Sequence, residues 1–198
     1  LKDVRIIWSP QSNLDLYGDT TRVPAALRLG MTVALGPDWT PSGSMSPLEE
    51  LKCAKQLSDK RWGGMLTDEQ LVRMVTVDAA KTMGAEKFIG TLAPGLFADV
   101  AVFAGDRNKP FAAVVAARPE TVRLVMIGGR ALYGRLSLQR AAQRTPTAFR
   151  LPARTRYRRF GRKDRRSVSR GEFGRRAIGL VRARCGDARC ARSYGCEV

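Results

Sequence analysis

The 198-residue sequence contains no histidine and only four cysteines. Cys185, Cys190 and Cys196 lack the C-x-x-C spacing, and because no histidine can complete a ligand set we expect no zinc site among them. Cys53 lies in a helical pattern and is predicted to be a small core residue. So few cysteines also argue against a disulfide framework, which predicts a reducing, cytoplasmic location. No apolar run approaches the ~20 residues of a membrane helix, so we expect no membrane partner.

Acidic residues are scarce in the last third of the chain. Residues 1–134 hold 16 Lys and Arg against 14 Asp and Glu, whereas residues 135–198 hold 19 against 4. Eighteen of those 19 are arginines, so almost all of the net charge of +17 lies in this tail. The arginines recur without a lasting apolar stripe, and such a segment cannot bury enough surface to offset its ordering entropy. We therefore expect disorder from residue 135 onward.

Apolar patterning near the start of the chain predicts two strands separated by a helix. Residues 4–8 and 32–35 are short runs of strand formers, and their length favours strands over helices. Residues 9–13 (Ser-Pro-Gln-Ser-Asn) predict a polar loop, and residues 21–29 predict a helix that Gly30 ends. Strand, helix, strand is the unit of a parallel sheet.

One carboxylate follows the second predicted strand. The run from Met31 to Trp39 reads Met-Thr-Val-Ala-Leu-Gly-Pro-Asp-Trp, so Asp38 lies just beyond the carboxyl end of that strand. In parallel α/β folds the reacting groups gather at this edge of the sheet. Asp38 is therefore a candidate catalytic residue, with an ordinary turn or cap residue as the alternative interpretation.

Two helices are predicted after this loop. Ser46 with Glu49, and Thr67 with Gln70, each have the spacing of a capping box at the start of a helical pattern. The second pattern continues or restarts after residue 75 and stops at Gly84. The buried stripe of the first helix is predicted to be Leu48, Leu51, Ala54 and Leu57.

The hydrophobic period then changes to two. Residues 97–103 predict a strand, and residues 121–127 and 130–133 predict a hairpin closed by a primed two-residue Gly-Gly turn. Residues 86–134 therefore predict a small β unit beside the α/β unit.

Several motifs in this order resemble one enzyme family. They are Trp8–Gly18 (WSPQSNLDLYG), Val33–Trp39 (VALGPDW) and Ile89–Phe103 (IGTLAPGLFADVAVF). Over residues 1–134 the sequence resembles the end of a metal-dependent amidohydrolase of the cytosine deaminase and chlorohydrolase branch. The resemblance implies an α/β fold: the C-terminal part of a (β/α)₈ barrel plus part of a flanking β-sandwich.

By this resemblance, residues 1–85 are the end of the barrel with its strands seven and eight, and residues 86–134 return to the β-sandwich. Residues 135–198 are then an arginine-rich tail. A whole barrel needs about 250 residues, so we expect barrel strands one to six to be absent from this chain.

The resemblance also implies a chemistry. The family uses a divalent metal, zinc or iron, to activate water for hydrolysis of C–N or C–Cl bonds in a small, cyclic substrate. Asp38 matches the family's metal-binding and proton-shuttling Asp after strand eight. Ser12 and Asn13 match a loop that lines the mouth of the barrel, where the position of Asp38 also lies. Trp39 could pack on a planar substrate. The alternatives are turn chemistry for Ser12 and Asn13 and a core position for Trp39.

The sequence departs from the family in its metal ligands. The family's other ligands are histidines, and this chain has none. Because a catalytic zinc needs about three protein ligands, we predict that this chain alone binds no catalytic metal and turns over no substrate. The sequence leaves the oligomeric state open.

Three interpretations of the tail remain open. The first is a solvated disordered segment. The second is an electrostatic nucleic-acid binder whose arginines contact phosphates and whose Tyr157, Phe160 and Phe173 stack on bases. The third is an out-of-frame translation of GC-rich DNA. The second would make the protein a basic, non-enzymatic nucleic-acid-binding protein. Non-specific binding to nucleic acid is expected from the charge alone.

Overall fold

A parallel pair of short strands organises the first part of the chain. The computed structural model describes residues 4–144. In it β1 (Arg5–Trp8) pairs in parallel with β2 (Thr32–Leu35), with Trp8 opposite Leu35. Both strands match the sequence prediction, because β-branched and bulky apolar residues favour the extended backbone of a strand.

Two helices connect these strands. Helix α1 (Pro10–Tyr17) follows β1 directly, and α2 (Val23–Arg28) precedes β2. The predicted polar loop over residues 9–13 is therefore wrong. Pro10 occupies the first helical position, where its fixed φ suits the helix and its missing N–H costs nothing. Helix α2 is as predicted, and Gly30 follows it with φ of 75°.

Three further helices cover the strands. Helix α3 (Pro47–Arg61), α4 (Asp68–Met74) and α5 (Val77–Thr82) follow in order. The capping box of Thr67 and Gln70 is confirmed, with both reciprocal hydrogen bonds present. The predicted box of Ser46 and Glu49 is wrong, because the Ser46 side chain makes no cap hydrogen bond and Glu49 Oε2 instead accepts from the Met45 N–H at 2.6 Å.

The hydrophobic core lies between this strand pair and the helices. Leu51, Ala54 and Leu57 of the predicted α3 stripe are buried, and Leu48 packs at the edge of the core. The Trp8 ring is fully buried in this core, with its centroid 5.6 Å from that of Trp62. The buried apolar residues of this cluster are Trp8, Val23, Ala26, Val33, Leu35, Leu51, Cys53, Ala54, Leu57, Leu66, Leu71, Met74 and Val115.

An antiparallel sheet follows. Strands β3 (Val100–Phe103), β4 (Val122–Ile127) and β5 (Arg130–Gly134) pair in the order β3-β4-β5. The predicted hairpin is confirmed, with Ile127 opposite Arg130. The two turn glycines between them have φ of 55° and 78°, as a primed turn requires. Strand β3 is shorter than predicted, because the backbone over residues 97–99 forms a turn.

Helix α6 (Pro110–Val115) was not predicted and joins the first core. Val115 is buried in the cluster around Trp8, and Val114 packs against it. A short 3₁₀ helix, Pro119–Thr121, then leads into β4. The segment 86–134 is thus not only a β unit, since one of its helices contributes to the core of the α/β part.

The arginine-rich segment enters the described residues only at its start. Helix α7 (Leu136–Arg144) follows β5, so the prediction of disorder from residue 135 is wrong for this helix. The rest of the predicted tail, with its candidate stacking aromatics and three of the cysteines, lies outside the described residues. Cys53 is buried, as predicted.

Candidate functional site

Two hydrogen bonds connect the carboxyl ends of β1 and β2. The Gly36 N–H donates to the Trp8 carbonyl at 3.1 Å, and the Ser9 hydroxyl donates to the Gly36 carbonyl at 2.7 Å. Because Ser9 uses its hydroxyl in this contact, it makes no side-chain cap on helix α1. The two chain segments that leave the sheet therefore start from fixed positions on the same edge.

Ser12 and Asp38 meet at this edge. The Ser12 hydroxyl donates to Asp38 Oδ2 at 2.9 Å. Ser12 lies in the first turn of α1 and is buried, whereas Asp38 lies in the loop after β2 and is exposed. The hydrogen bond fixes one carboxylate oxygen from the protein side while the residue faces solvent. Such a carboxylate can accept a proton from, or coordinate, a group that arrives at this edge.

The Asn13 side chain contacts the turn before helix α2. Its side-chain Oδ1 accepts from the Thr21 hydroxyl at 3.1 Å and, more weakly, from the Thr21 N–H at 3.4 Å. The adjacent Thr20 hydroxyl accepts from the Trp8 indole N–H at 2.8 Å. The structure therefore places the Asn13 side chain against the turn before α2, in keeping with the turn chemistry that is the alternative interpretation of this residue.

Trp39 is not a core residue, because 72% of it is exposed beside Asp38. Its carbonyl accepts from the N–H groups of Ser42 and Gly43, at 3.0 and 2.8 Å. A side chain at Gly43 would come within 3.2 Å of that carbonyl. The backbone hydrogen bonds of the turn 39–43 hold the Trp39 backbone beside Asp38, and the turn leaves little room for a side chain at Gly43.

Glu50 is the site residue that sequence analysis missed. Its carboxylate is fully buried and accepts from the Gln11 N–H at 3.2 Å and from the Ser44 N–H at 3.4 Å. Burial raises the pKa of Glu50, and hydrogen bonds from Ser44 and Gln11 partly oppose the rise. A signal was present in the sequence: Glu50 has the i, i+4, i+7 spacing of the buried face with Ala54 and Leu57.

The described residues do not form a complete metal site. Among residues 4–144, no group of three or more Cys, Asp or Glu side chains could hold a metal ion. Asp38 offers one carboxylate with a neutral serine partner, whereas a catalytic zinc takes about three protein ligands. A divalent metal therefore does not fit the described part of this chain by itself. No helix among the described residues is long and apolar enough to cross a membrane.

The described residues form a mixed α/β fold with a hydrogen-bonded carboxylate, Asp38, at the edge of its parallel strand pair. Comparison of the sequence with known families identifies the family. Residues 4–133 match the amidohydrolase family. The chain belongs to this family. It is 31% identical over 138 residues to the 5-methylthioadenosine/S-adenosylhomocysteine deaminase of Desulfitobacterium hafniense, a match that covers 65% of this chain and 32% of the relative. The chain thus spans about a third of the length of the curated relatives it matches.

Solved structures show the same fold relationship. An Escherichia coli guanine deaminase superposes with a TM-score of 0.59 at 22% identity, covering 67% of this chain and 34% of that one. The atrazine chlorohydrolase of Arthrobacter aurescens TC1, solved with zinc, superposes with a TM-score of 0.55 at 22% identity, covering 66% and 31%. The resemblance to amidohydrolases inferred from the motifs is confirmed.

Proposed function

We propose that this chain is the C-terminal part of a metal-dependent amidohydrolase that hydrolyses C–N or C–Cl bonds of a small, cyclic substrate. In this proposal residues 1–85 end a (β/α)₈ barrel, with β1 and β2 as its seventh and eighth strands. Residues 86–134 belong to a flanking β-sandwich. The relatives named for deamination and for triazine hydrolysis support this substrate chemistry.

The hydrogen bond between Ser12 and Asp38 is the observation that carries the proposal. Two residues from different segments, 26 positions apart, meet at 2.9 Å where the parallel strands end. A turn or cap role for Asp38 would call for a contact to nearby backbone, and this contact is instead to the Ser12 side chain on helix α1. This arrangement supports a chemical role for Asp38, because reacting groups gather at this edge of a parallel sheet.

Each predicted site residue has a role in the proposal. Asp38 accepts a proton from the attacking water and delivers it to the leaving group. Ser12 positions the Asp38 carboxylate, and Trp39 offers an exposed planar surface beside it for a ring-shaped substrate. Asn13 shapes the mouth indirectly, through the turn at Thr21.

The proposal includes a divalent metal, zinc or iron, in the parent reaction, as suggested by the zinc complex of the atrazine chlorohydrolase. When bound, such an ion would supply the activation of water as a nucleophile at neutral pH. Because the described residues supply one of about three ligands, we expect the chain alone to be inactive. The nucleic-acid alternative depends on the tail, which lies outside the described residues, and no contact of residues 4–144 favours it.

A chimera tests the proposal directly. Residues 4–133 would replace the matching third of the D. hafniense deaminase, so that the host supplies the missing part of the barrel. We expect a zinc-loaded chimera with measurable deaminase activity. Asp38→Asn should lower kcat by about 10²–10⁴-fold, because it removes the group that moves the proton. Ser12→Ala should have a smaller effect on kcat.

Asp19→Asn is the matched control. Asp19 is an exposed carboxylate whose contact is a surface ion pair with Arg61 at 3.2 Å, so its loss should leave kcat unchanged. A folded, zinc-loaded chimera without activity, or one in which Asp38→Asn is as active as the unmodified chimera, would contradict the proposal. Stoichiometric tight zinc and deaminase activity in the 198-residue chain alone would refute the expected inactivity.

A further inference from the structure

Glu50 is a fully buried charged residue with no assigned part in the proposed chemistry. It lies in the first turn and a half of α3 and accepts hydrogen bonds from two other segments of the chain. One of these segments is helix α1, which carries Ser12. The other is the loop between β2 and α3, which carries Asp38.

The contact with α1 is a helix cap made by a distant residue. The first N–H groups of a helix have no partner within the helix. In α1 the first position is Pro10, which has no N–H, and Ser9 directs its hydroxyl to Gly36. The next N–H belongs to Gln11, and Glu50 Oε2 accepts it at 3.2 Å. A carboxylate at this place also interacts favourably with the helix dipole.

The second contact of Glu50 holds the C-terminal end of the loop between β2 and α3. Glu50 Oε1 accepts from the Ser44 N–H at 3.4 Å, while the near end of the loop is held at Gly36 by Ser9. Asp38 lies between these two attachment points. One carboxylate therefore connects the residue that precedes Ser12 to the end of the loop that carries Asp38.

We propose that Glu50 is a positioning residue that sets the geometry of the Ser12–Asp38 pair by holding α1 and the 36–46 loop on its two carboxylate oxygens. This inference deepens the proposed function and rests on it for the importance of Asp38. The geometric claim itself is independent of any activity.

Burial of this carboxylate is not explained by stability alone. A buried charge has a large desolvation cost, and replacing buried ionic groups with well-packed apolar residues is often neutral or stabilising. The same burial raises the pKa of Glu50, which indicates that the charged form is disfavoured here despite its hydrogen bonds. An apolar side chain would pack at this position but could not accept hydrogen bonds. A role in fixing two backbone segments therefore explains why a carboxylate is present.

Amide hydrogen exchange on the full chain tests this inference. In Glu50→Met the side-chain volume is kept and both acceptors are lost. We expect the Gln11 amide to exchange about tenfold faster or more, the scale of a lost hydrogen bond to a charged group. The Ser44 amide, whose bond is longer at 3.4 Å, should also exchange faster, by a smaller factor. The amides of β2 should exchange at the unmodified rate, because the core remains filled. Glu50→Gln keeps one acceptor oxygen and should rescue one of the two amides.

The hydrogen bond between Ser12 and Asp38 is monitored through the ¹³C chemical shift of the Asp38 carboxylate at fixed pH. Ser12→Ala gives the shift that marks loss of the hydrogen bond, and Glu50→Met should move the shift in the same direction. Glu49→Gln is the matched control, since it removes the same charge one residue away and should affect only the Met45 amide. A role in packing alone would leave both amides and the Asp38 shift unchanged in Glu50→Met.

The outcomes separate this inference from the proposed function. Unprotected Gln11 and Ser44 amides in the unmodified chain, or an Asp38 shift that moves in Ser12→Ala but not in Glu50→Met, would overturn the positioning role. An inactive chimera would remove the proposed function and leave the geometric result standing.

Discussion

The two parts of the described chain bury their apolar residues very differently. In the α/β part, Trp8, Leu57 and Leu71 are completely inaccessible to solvent. In the three-stranded sheet, Leu124 is the buried residue among the described strand positions, whereas Leu132 is 58% exposed. A parallel pair needs helices over its faces, but a hairpin can form from local pairing alone.

This difference indicates where the stability of the chain resides. The α/β part has its own core although it contains only two strands, and α6 extends that core from the following segment. The sheet keeps its register through backbone pairing and a Gly-Gly turn. Core substitutions should therefore affect the first part strongly and the second part weakly.

The largest effect is expected for Leu57→Ala. Leu57 is fully buried in the core around Trp8, and truncating a buried leucine removes apolar contact and leaves a cavity. We expect a loss of about 2–5 kcal/mol in the free energy of unfolding. Urea unfolding followed by the fluorescence of Trp8 and Trp62 measures this loss.

Leu132→Ala is the matched control, because it makes the same chemical change on the exposed face of β5. Its cost should be within about 0.5 kcal/mol. Equal costs at the two leucines would mean that the sheet is packed as tightly as the α/β core, and the contrast between the two parts would be lost.

A smaller effect, dependent on pH, is expected at Glu50. Because burial raises its pKa in the folded chain above the ordinary 4.5, the folded state holds a proton that the unfolded state has already released. The unfolding free energy from this residue is therefore highest below pH 4.5, falls as the pH rises toward the raised value, and stays lower above it.

Urea unfolding of the full chain at a series of pH values measures this dependence. Glu50→Gln should remove the fall, and Glu49→Gln should retain most of it. An increase in stability with pH across the same window in the unmodified chain, lost in Glu50→Gln, would reverse the assigned direction of the pKa shift.

The sequence predicted the elements whose signals are local. Both strands of the parallel pair, helix α2, the Thr67 capping box and the Gly-Gly hairpin follow from patterns within a few residues, and each is present. Asp38 was placed correctly after β2 because the end of a strand is also a local feature. Its role in chemistry stays a prediction.

The missed features depend on contacts between distant segments. Helix α1 begins at Pro10 although its motif is rich in turn formers, and its first free N–H, that of Gln11, is bonded by Glu50, 39 residues away. Helix α6 is short and owes its burial to the core of the other part. The partners of Asn13 and Asp38 are likewise set by tertiary packing, which no local pattern specifies.

The two capping boxes give the smallest and most discriminating test, because the sequence predicts both and the structure contains one. Thr67 Oγ1 accepts from the Gln70 N–H at 3.2 Å, so Thr67→Ala should cost about 1 kcal/mol of unfolding free energy. Ser46 makes no such bond, so Ser46→Ala should lower the unfolding free energy by a few tenths of a kcal/mol at most. Urea unfolding of both variants decides the question: equal costs would mean that Ser46 caps α3 in solution and that sequence spacing alone is sufficient to identify a cap.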